Sequence, residues 1–259
     1  MPDFLRKAFR TSYYLLHGRS GKIIKINNED YTVSAYVARG ITPTIDEVPL
    51  KLLLNLSENA ATLFDIGGNI GVIATILAKK MKPGSVIYSF EPAPLSYKYL
   101  ADTARVQKGN AKIIPVNLAI SNNSDKLHFT NDGNSCTNHI ADANETNTVS
   151  VDCITIDAWC AKNNVLPEVM KIDIEGAEFW ALEGMKATLK NNNIKVLLEI
   201  HQGYLTGHKI TGAMFGKVIE EIGYRVFSST GMELAGDQIL KYSCVILSKE
   251  VLPAEIYKI

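Results

Sequence analysis

The sequence predicts an α/β fold in which a mostly parallel, seven-stranded sheet carries helices on both faces. Apolar strand-like runs alternate with amphipathic helical segments along most of the chain, and this alternation is typical of parallel strands joined by helical crossovers. A glycine turn follows the first of these strands. The 259 residues are 46% hydrophobic, which is enough for one large core and a small extension.

Period-2 and period-3.6 patterns predict the elements of this sheet. Strands are expected at 62–66, 85–90, 111–116, 168–173, 194–200, 222–228 and 240–247, and helices at 70–81, 94–107, 175–190 and 211–221. Residues 119–157 predict short strands and loops around the Asn-rich stretch TNDGNSCTNHIADANETN. A long polar insertion of this kind is more typical of a lid or substrate loop than of a linker.

An N-terminal extension, residues 1–45, is predicted to precede the main domain at 46–259. Residues 3–16 carry an apolar helical stripe opposite three basic residues, and KIIKINNEDYTVSAYV predicts a hairpin. The basic helix could make weak contact with a membrane surface or a partner, or dock on its own domain or on a second subunit, which would give a homodimer. TIDEVPLKLLLNLSEN predicts a helix leading into the core.

Charge, apolar runs and cysteine spacing exclude several classes of function. Lys plus Arg and Asp plus Glu both total 27, so the net charge is zero and nucleic acid is not an expected partner. No apolar run approaches the roughly 18–20 residues that span a membrane, and the N-terminus is a poor signal peptide. The four cysteines form no CxxC pair and no zinc-ligand spacing, which favours buried or loop thiols in a reducing cytoplasm.

The glycine turn DIGGNIG indicates which cofactor binds. A dinucleotide fingerprint, G-x-G-x-x-G, is not met, since other residues occupy two of its glycine positions. The carboxylate before the turn would repel a pyrophosphate, whereas it suits S-adenosylmethionine, which carries an ammonium and a sulfonium and no phosphate. The glycines are expected to let the backbone approach the ligand closely. The cofactor contacts predicted for this turn are Asp65, Gly67, Gly68, Asn69 and Gly71.

Two further strand ends add to the predicted cofactor site. Glu91, 20 residues after Gly71, can accept hydrogen bonds from both ribose hydroxyls, which fits NAD and S-adenosylmethionine equally. Pro92 then ends the strand. Asn117 and Leu118 are expected to flank and hydrogen-bond the adenine, although asparagine at a strand end is also common as a turn residue.

With DIGGNIG, SFEP and MKIDIEGAE in this order, the chain resembles the FkbM family of S-adenosylmethionine-dependent methyltransferases. The family hallmark K-I-D-[VI]-E-G-x-E stands here as residues 171–178, and VLLEIH follows it. The resemblance covers Thr62 to His201. It implies a class I methyltransferase (Rossmann-like) fold and transfer to a hydroxyl oxygen. Because many relatives are associated with sugars and other natural products, it also implies a saccharide or small-molecule acceptor.

Four polar side chains are the predicted catalytic residues, and one of them, Asp173, is also a predicted cofactor contact. Asp173 ends a strand and Glu175 opens a helix, so both face the same crevice as Asp65 if the first and fourth strands are neighbours. Glu199 and His201, two positions apart, are expected on the same face of a strand. Acidic residues in a first helical turn, such as Glu175, can instead stabilise the helix dipole.

A hydroxyl acceptor needs activation, because an alcohol is a weak nucleophile at neutral pH. His201 is the favoured general base, with an ordinary pKa of about 6.5 and a carboxylate that orients its ring. A divalent ion held by Asp173, Glu199 and His201 is the alternative that is not favoured, because no ligand spacing is diagnostic. Glu178 is interpreted as a dipole-stabilising helix residue.

Two rival functions remain at this level. A nicotinamide-dependent oxidoreductase is disfavoured by the failed glycine fingerprint and by Asp65. A non-catalytic module that keeps the cofactor pocket can be excluded only by turnover. The N-methyltransferase signature [DN]-P-P-[YF] is absent, which disfavours amine and nucleobase acceptors.

Overall fold

An eight-stranded sheet forms the centre of the computed structural model, which describes residues 21–39, 45–130 and 148–259. All strands except β13 and the short edge strand β12 run parallel to one another. In spatial order the strands are β12 (Glu233–Leu234), β11 (Arg225–Ser228), β13 (Cys244–Ser248), β10 (Lys195–Glu199), β9 (Val169–Ile172), β3 (Thr62–Ile66), β4 (Val86–Phe90) and β5 (Lys112–Val116).

Helices cover both faces of this sheet. They are α1 (Glu47–Ser57), α2 (Val72–Lys80), α3 (Pro94–Val106), α4 (Ile156–Asn163), α5 (Glu178–Glu183), α6 (Lys186–Asn191), α7 (Gln202–Gly207) and α8 (Gly212–Ile222). Short 3-10 helices span Val37–Arg39, Gly236–Lys241 and Ala254–Tyr257. Among the described residues, no helix is both long enough and apolar enough to cross a membrane.

The alternation of side chains along β3 divides the core into two layers. Leu63 packs with apolar side chains of α1 and α2, such as Leu52 and Leu77. Phe64 and Ile66 point to the opposite face and pack with side chains of α4, α5 and α8. Because successive strand residues face opposite sides, one buried strand serves both layers.

Two smaller sheets lie outside the central one. Strands β1 (Gly21–Ile26) and β2 (Glu29–Ser34) form the expected hairpin, and its turn residues Asn27 and Asn28 both have positive φ. Strands β6 (Ala119–Ile120), β8 (Thr148–Ile154) and β7 (Lys126–Thr130) form the second sheet in that order. The helix predicted at 3–16 and residues 131–147 of the Asn-rich stretch lie outside the described residues.

The central sheet matches all seven predicted strands, with two corrections. An eighth strand, β12, is added because the chain turns back through Gly231 and pairs with β11. The strand predicted at 240–247 begins only at Cys244, since Gly236–Lys241 forms a 3-10 helix. Four neighbouring pairs are parallel and three antiparallel, so the sheet is mixed.

The helix predicted at 175–190 is two helices, α5 and α6. The break falls at Gly184, where an added Cβ would lie 2.0 Å from the carbonyl oxygen of Ser121. The chain therefore passes directly against the backbone that follows β6. The three described cysteines, Cys153, Cys160 and Cys244, are free and buried, as the sequence predicts.

Substitution of Gly67 tests whether the close contact between the glycine turn and the Asp173 backbone stabilises the fold. Its φ is +87°, and an added Cβ would lie 1.8 Å from the carbonyl oxygen of Asp173. We expect Gly67→Ala to lower the free energy of unfolding by at least about 3 kcal/mol, because backbone strain and steric overlap add. Urea denaturation measures this loss.

The matched control is Gly84→Ala. Gly84 has nearly the same φ, +86°, but no atom lies within 4 Å of an added Cβ. Its expected loss is about 1–2 kcal/mol, from backbone strain alone. Equal losses in the two variants would show that contact with Asp173 does not matter.

Candidate active site at the carboxyl end of the sheet

Three charged side chains lie together where β3 and β9 end: Asp65 and Lys171 are buried, and Asp173 is partly buried. The two strands are neighbours, as expected, and Asp65 pairs with Lys171 in the parallel register. The Lys171 Nζ lies 3.6 Å from Asp65 Oδ1 and 3.0 Å from Asp173 Oδ2. It also donates a hydrogen bond of 3.0 Å to the carbonyl oxygen of Gly67. One buried ammonium therefore connects both strand ends to the glycine turn.

Asp65 has a different position from the one that the sequence predicts. It is fully buried, and its Oδ2 accepts a 2.7 Å hydrogen bond from the Ser89 hydroxyl. Its carboxylate lies beneath the glycine turn and does not line the cavity described below. Strand pairing places Lys171 directly beside Asp65, so the carboxylate contacts Lys171 and Ser89. Its contact with the positive end of a cofactor stays a prediction.

The pKa directions in this group follow from the same contacts. Burial alone would lower the pKa of Lys171, but the charges of Asp173, Asp65 and Glu199 raise it above its usual value. Burial would raise the pKa of Asp173, but the charge and hydrogen bond of Lys171 lower it. Lys171 and Asp173 are therefore both ionised at neutral pH.

The glycines of the turn fit the protein's own backbone and side chains. Gly67 lies against the Asp173 carbonyl, and an added Cβ on Gly68 would lie 2.0 Å from the Ser89 hydroxyl oxygen. Gly71, with φ +86°, is the left-handed residue that begins α2. Internal packing therefore accounts for the absence of a side chain at these positions, and the close approach of a ligand stays a prediction.

A cavity opens at the carboxyl ends of β3, β4 and β9. Six of the predicted cofactor residues line it: Gly67, Asn69, Glu91, Pro92, Leu118 and Asp173. Four do not: Asp65, Gly68, Gly71 and Asn117. Other residues of the lining are Ile66, Phe90, Ala119, Ile120, Phe129, Ile174, Glu175 and Ala177. Apolar walls thus surround a small number of carboxylates.

Glu91 is held rigidly on one side of this cavity. Its Oε2 accepts from the Asn69 backbone N–H and its Oε1 from the Ala93 backbone N–H, both at 2.8 Å. Burial raises the pKa of Glu91 to about 7, even though both hydrogen bonds lower it. Each oxygen keeps a further lone pair for a ligand hydroxyl. The Asn117 amide donates to the Glu91 and Pro92 carbonyl oxygens at 2.8 and 3.0 Å, and so supports this loop from outside.

His201 lies among carboxylates on the other side. Its Nδ1 is 2.7 Å from Glu178 Oε1, an oxygen that also accepts from the Gly176 N–H at 3.0 Å. Its Nε2 lies 3.5 Å from Glu175 Oε2 and 3.7 Å from Asp173 Oδ1. The predicted orienting carboxylate is therefore Glu178, which the sequence suggests only as a helix-dipole residue.

The carboxylates change the titration of this ring. Burial alone would lower the pKa of His201, but the Glu178 hydrogen bond and the charges of Glu178, Glu175 and Asp173 raise it to about 9. The expected ordinary value near 6.5 is therefore wrong for the protein without ligands. At neutral pH both ring nitrogens are therefore protonated, and the ring carries a positive charge. A metal cation could compete with the Nε2 proton for the position between the carboxylates.

Glu199 and His201 do not lie on one continuous strand, contrary to the expectation from the sequence. Strand β10 ends at Glu199, and His201 precedes helix α7 with φ −95° and ψ 73°, so strand alternation does not continue to the histidine. The donor atoms that converge belong to Asp173, Glu175 and His201. Burial and the charge of Asp173 raise the pKa of Glu199 to about 7.

Sequence reasoning missed the roles of Lys171, Glu178 and Ser89. A signal for Lys171 was present, because it is the single charged residue in the otherwise apolar strand VMKI, all four residues of which are buried. A lysine is almost never fully buried without a partner. The roles of Glu178 and Ser89 depend on contacts with distant elements, which local patterns do not report.

The mixed α/β sheet has its cavity at the carboxyl ends of the strands. A family model, the methyltransferase FkbM domain, matches residues 65–226. The chain therefore belongs to the FkbM methyltransferase family. S-Adenosylmethionine is the cofactor of this family.

Among curated proteins, the hexuronic acid methyltransferase AglP of Haloferax volcanii is 28% identical over 183 residues, which are 66% of this chain and 73% of that protein. Among solved structures, methyltransferase FkbM from Methylobacillus flagellatus matches with a TM-score of 0.45 and 14% identity, over 74% of this chain and 44% of that one. Aeropyrum pernix fibrillarin with bound S-adenosylmethionine matches with a TM-score of 0.42 and 11% identity, over 88% and 81% of the two chains.

Lys171→Met tests the buried charge group. The substitution leaves Asp65 and Asp173 without their shared cation, and we expect the free energy of unfolding to fall by about 3–5 kcal/mol at neutral pH. The double variant with Asp65→Asn removes one of the two unpaired carboxylates, so its loss should be smaller. Denaturant unfolding measures both.

Lys186→Met is the control for the loss of a lysine. Lys186 forms surface ion pairs with Glu183 and Glu221 at 3.6 and 2.8 Å, and its replacement should change stability little. A loss at Lys171 no larger than that at Lys186 would contradict the role assigned to the buried group.

Proposed function

We propose that this chain transfers a methyl group from S-adenosylmethionine to a hydroxyl group of a saccharide or a glycosylated small molecule. The observation that carries the proposal is one cavity with Glu91 on its first side and Asp173 and Glu175 on its second, next to His201. Membership of the FkbM family supports methyl transfer. The relative named as a hexuronic acid methyltransferase supports a sugar acceptor.

The lining of the cavity fits this cofactor. Ile66, Phe90, Leu118 and other apolar side chains suit an adenine ring, and Glu91 can accept from a ribose diol. Among the described lining residues there are three carboxylates and no lysine or arginine. A pyrophosphate would be repelled there, whereas a ligand with positive charge is favoured, so a nicotinamide cofactor is not favoured.

The chain's own residues would act mainly by positioning. S-Adenosylmethionine supplies an electrophilic methyl group when it is bound. Asp173 and Glu175 can accept hydrogen bonds from acceptor hydroxyls and align one oxygen with that methyl carbon. The apolar walls exclude water from the reacting atoms. As the new C–O bond forms and the C–S bond breaks, the hydroxyl proton must leave, and His201 with its carboxylates lies on this side of the cavity.

Glu91 predicts how cofactor affinity depends on pH. Since its pKa is raised to about 7, the carboxylate is protonated below that pH and ionised above it. Ribose hydroxyls donate to the ionised form, so affinity should strengthen as the pH rises through 7. We expect the dissociation constant of S-adenosylhomocysteine to increase up to about tenfold from about pH 8 to about pH 6. Titration calorimetry measures it.

Glu91→Gln is the matched variant. It should weaken binding by about 1.5–3 kcal/mol at about pH 8 and remove the pH dependence over this range. A wild-type profile as flat as that of the variant would exclude Glu91 from the ribose site. NAD is the control ligand, and binding of NAD instead of S-adenosylhomocysteine would refute the cofactor assignment.

Turnover tests the function itself. With isotopically labelled S-adenosylmethionine and a panel of neutral sugars, hexuronic acids and glycosides, we expect a methyl ether detectable by mass spectrometry. At a pH above about 9, where the His201 ring is neutral and can accept a proton, His201→Ala should lower the rate about 10²–10⁴-fold, the range for loss of a group that assists proton removal.

His208→Ala is the control, because His208 is an exposed histidine that packs against Trp180. Its rate should stay close to that of the wild type. Cofactor binding without methyl transfer to any acceptor in the panel would favour a non-catalytic module. An equal rate in His201→Ala and the wild type would show that His201 only supports the fold.

A further inference from the structure

Three donor atoms face one another beside the cofactor cavity without being hydrogen-bonded together. They are Asp173 Oδ1, Glu175 Oε2 and His201 Nε2, and all lie within 4.8 Å of one another. The nitrogen is 3.7 Å from the first oxygen and 3.5 Å from the second. Both distances exceed those of an N–H···O hydrogen bond, so the three atoms surround a gap.

The other ring nitrogen of His201, Nδ1, makes a short hydrogen bond. His201 Nδ1 lies 2.7 Å from Glu178 Oε1, and Glu178 is fully buried and anchored by the Gly176 N–H. A histidine that binds a metal almost always donates its other ring N–H to such an acceptor. With Nδ1–H donated to Glu178, Nε2 faces two carboxylates. A positive charge is favoured between them, and it is either the proton that Nε2 carries at neutral pH or a divalent cation that displaces this proton.

Lys171 fixes the first of the carboxylates. Its Nζ lies 3.0 Å from Asp173 Oδ2, which leaves Oδ1 directed at His201. The three side chains at the gap are between 24% and 31% exposed, so a small ion can reach them from the cavity. Asp173 and Glu175 belong to the loop after β9, and His201 is the residue before α7. Buried Lys171 holds Asp173, and buried Glu178 holds His201.

The size of the gap suits a divalent ion. Ligand atoms at about 2.1 Å from Mg²⁺, and at right angles to one another, are about 3.0 Å apart. The two measured separations of 3.5 and 3.7 Å would have to contract by about half an ångström or slightly more. Rotation of the partly exposed Glu175 side chain can shorten the 3.5 Å separation, and a small shift of the Asp173 or His201 side chain is needed to shorten the 3.7 Å separation.

We propose that Asp173, Glu175 and His201 bind a divalent cation, Mg²⁺ or Mn²⁺, which in turn binds the hydroxyl group of the acceptor. Two carboxylate oxygens favour these hard ions, and one imidazole is compatible with Mn²⁺. The catalytic role of the ion rests on the proposed function, since it assumes a hydroxyl acceptor. The ion site itself does not.

The ion would account for activation of the alcohol. A hydroxyl bound to a divalent cation is more acidic, so its proton leaves to solvent water at a lower pH. The oxygen then forms a bond to the methyl carbon, the C–S bond breaks, and its electron pair stays on sulfur to give S-adenosylhomocysteine. This inference revises the preference for a metal-free route, and it replaces Glu199 with Glu175 in the ligand set.

Mn²⁺ binding to the full chain provides the direct test. After exhaustive chelation, Mn²⁺ is added back without cofactor or acceptor, and free Mn²⁺ is counted from its electron paramagnetic resonance signal. We expect one saturable site per chain. Glu175→Gln and His201→Ala each lose a ligand, and Glu178→Gln loses the partner of the imidazole, so affinity should fall at least tenfold in all three.

Glu183→Gln is the matched control, because Glu183 lies on the same helix as Glu178 but pairs with Lys186 at the surface. It should bind Mn²⁺ like the wild type, and circular dichroism melts confirm that each variant is folded. The proposal would be overturned if the wild type showed no saturable Mn²⁺ binding. It would also be overturned if Glu175→Gln and His201→Ala bound Mn²⁺ as tightly as the wild type.

Turnover separates this proposal from the proposed function. Methyl transfer should stop on chelation and return with Mg²⁺ or Mn²⁺. Full methyl transfer after chelation would overturn the catalytic role of the ion and leave the methyltransferase assignment intact. Mn²⁺ binding at this site without methyl transfer to any hydroxyl acceptor would support the ion site and contradict the proposed function.

Discussion

The buried ammonium of Lys171 is the interaction on which the rest of the site depends. It lies between Asp65 and Asp173 and donates to the Gly67 carbonyl oxygen, so it ties β3, β9 and the glycine turn together. Removing two carboxylates and an ammonium from water is costly, and only mutual pairing offsets that cost. A buried group of this kind adds little net stability, but it allows one arrangement of the two strand ends. The cavity is formed from that arrangement.

The regular part of the fold was predictable because it depends on local signals. Apolar runs, glycines and helical stripes report burial and direction residue by residue, and the seven predicted strands follow from them. The break between α5 and α6 could not be predicted, because it depends on Gly184 meeting the backbone of Ser121, a residue 63 positions earlier in the chain. Strand β12 has only two residues, too few for any periodic pattern to appear.

The candidate site was predictable in its residue types and less so in its contacts. The strand ends that carry Glu91 and Asp173 follow from the sequence, because parallel strands bring their carboxyl ends to one edge. Which way a side chain points there depends on its neighbours across the sheet. Asp65 turns to Lys171 because of strand order and register, and His201 leaves the face of Glu199 because the strand ends between them.

The charge of the cavity connects these observations to ligand choice. Its lining holds the carboxylates of Glu91, Asp173 and Glu175, and the cationic groups among the described residues nearby include Lys171 and His201. Lys171 is already shared by Asp65 and Asp173, so it offers no charge to a ligand. Electrostatic attraction in a partly buried site is stronger than in water, and this site therefore selects ligands that bring positive charge.

A sulfonium cofactor meets this requirement, and a divalent cation at His201 would meet it a second time, on the side where the acceptor must bind. An acceptor carrying its own carboxylate would then bind through that cation, whereas a neutral sugar could also bind through hydrogen bonds from its hydroxyls to Asp173 and Glu175 alone.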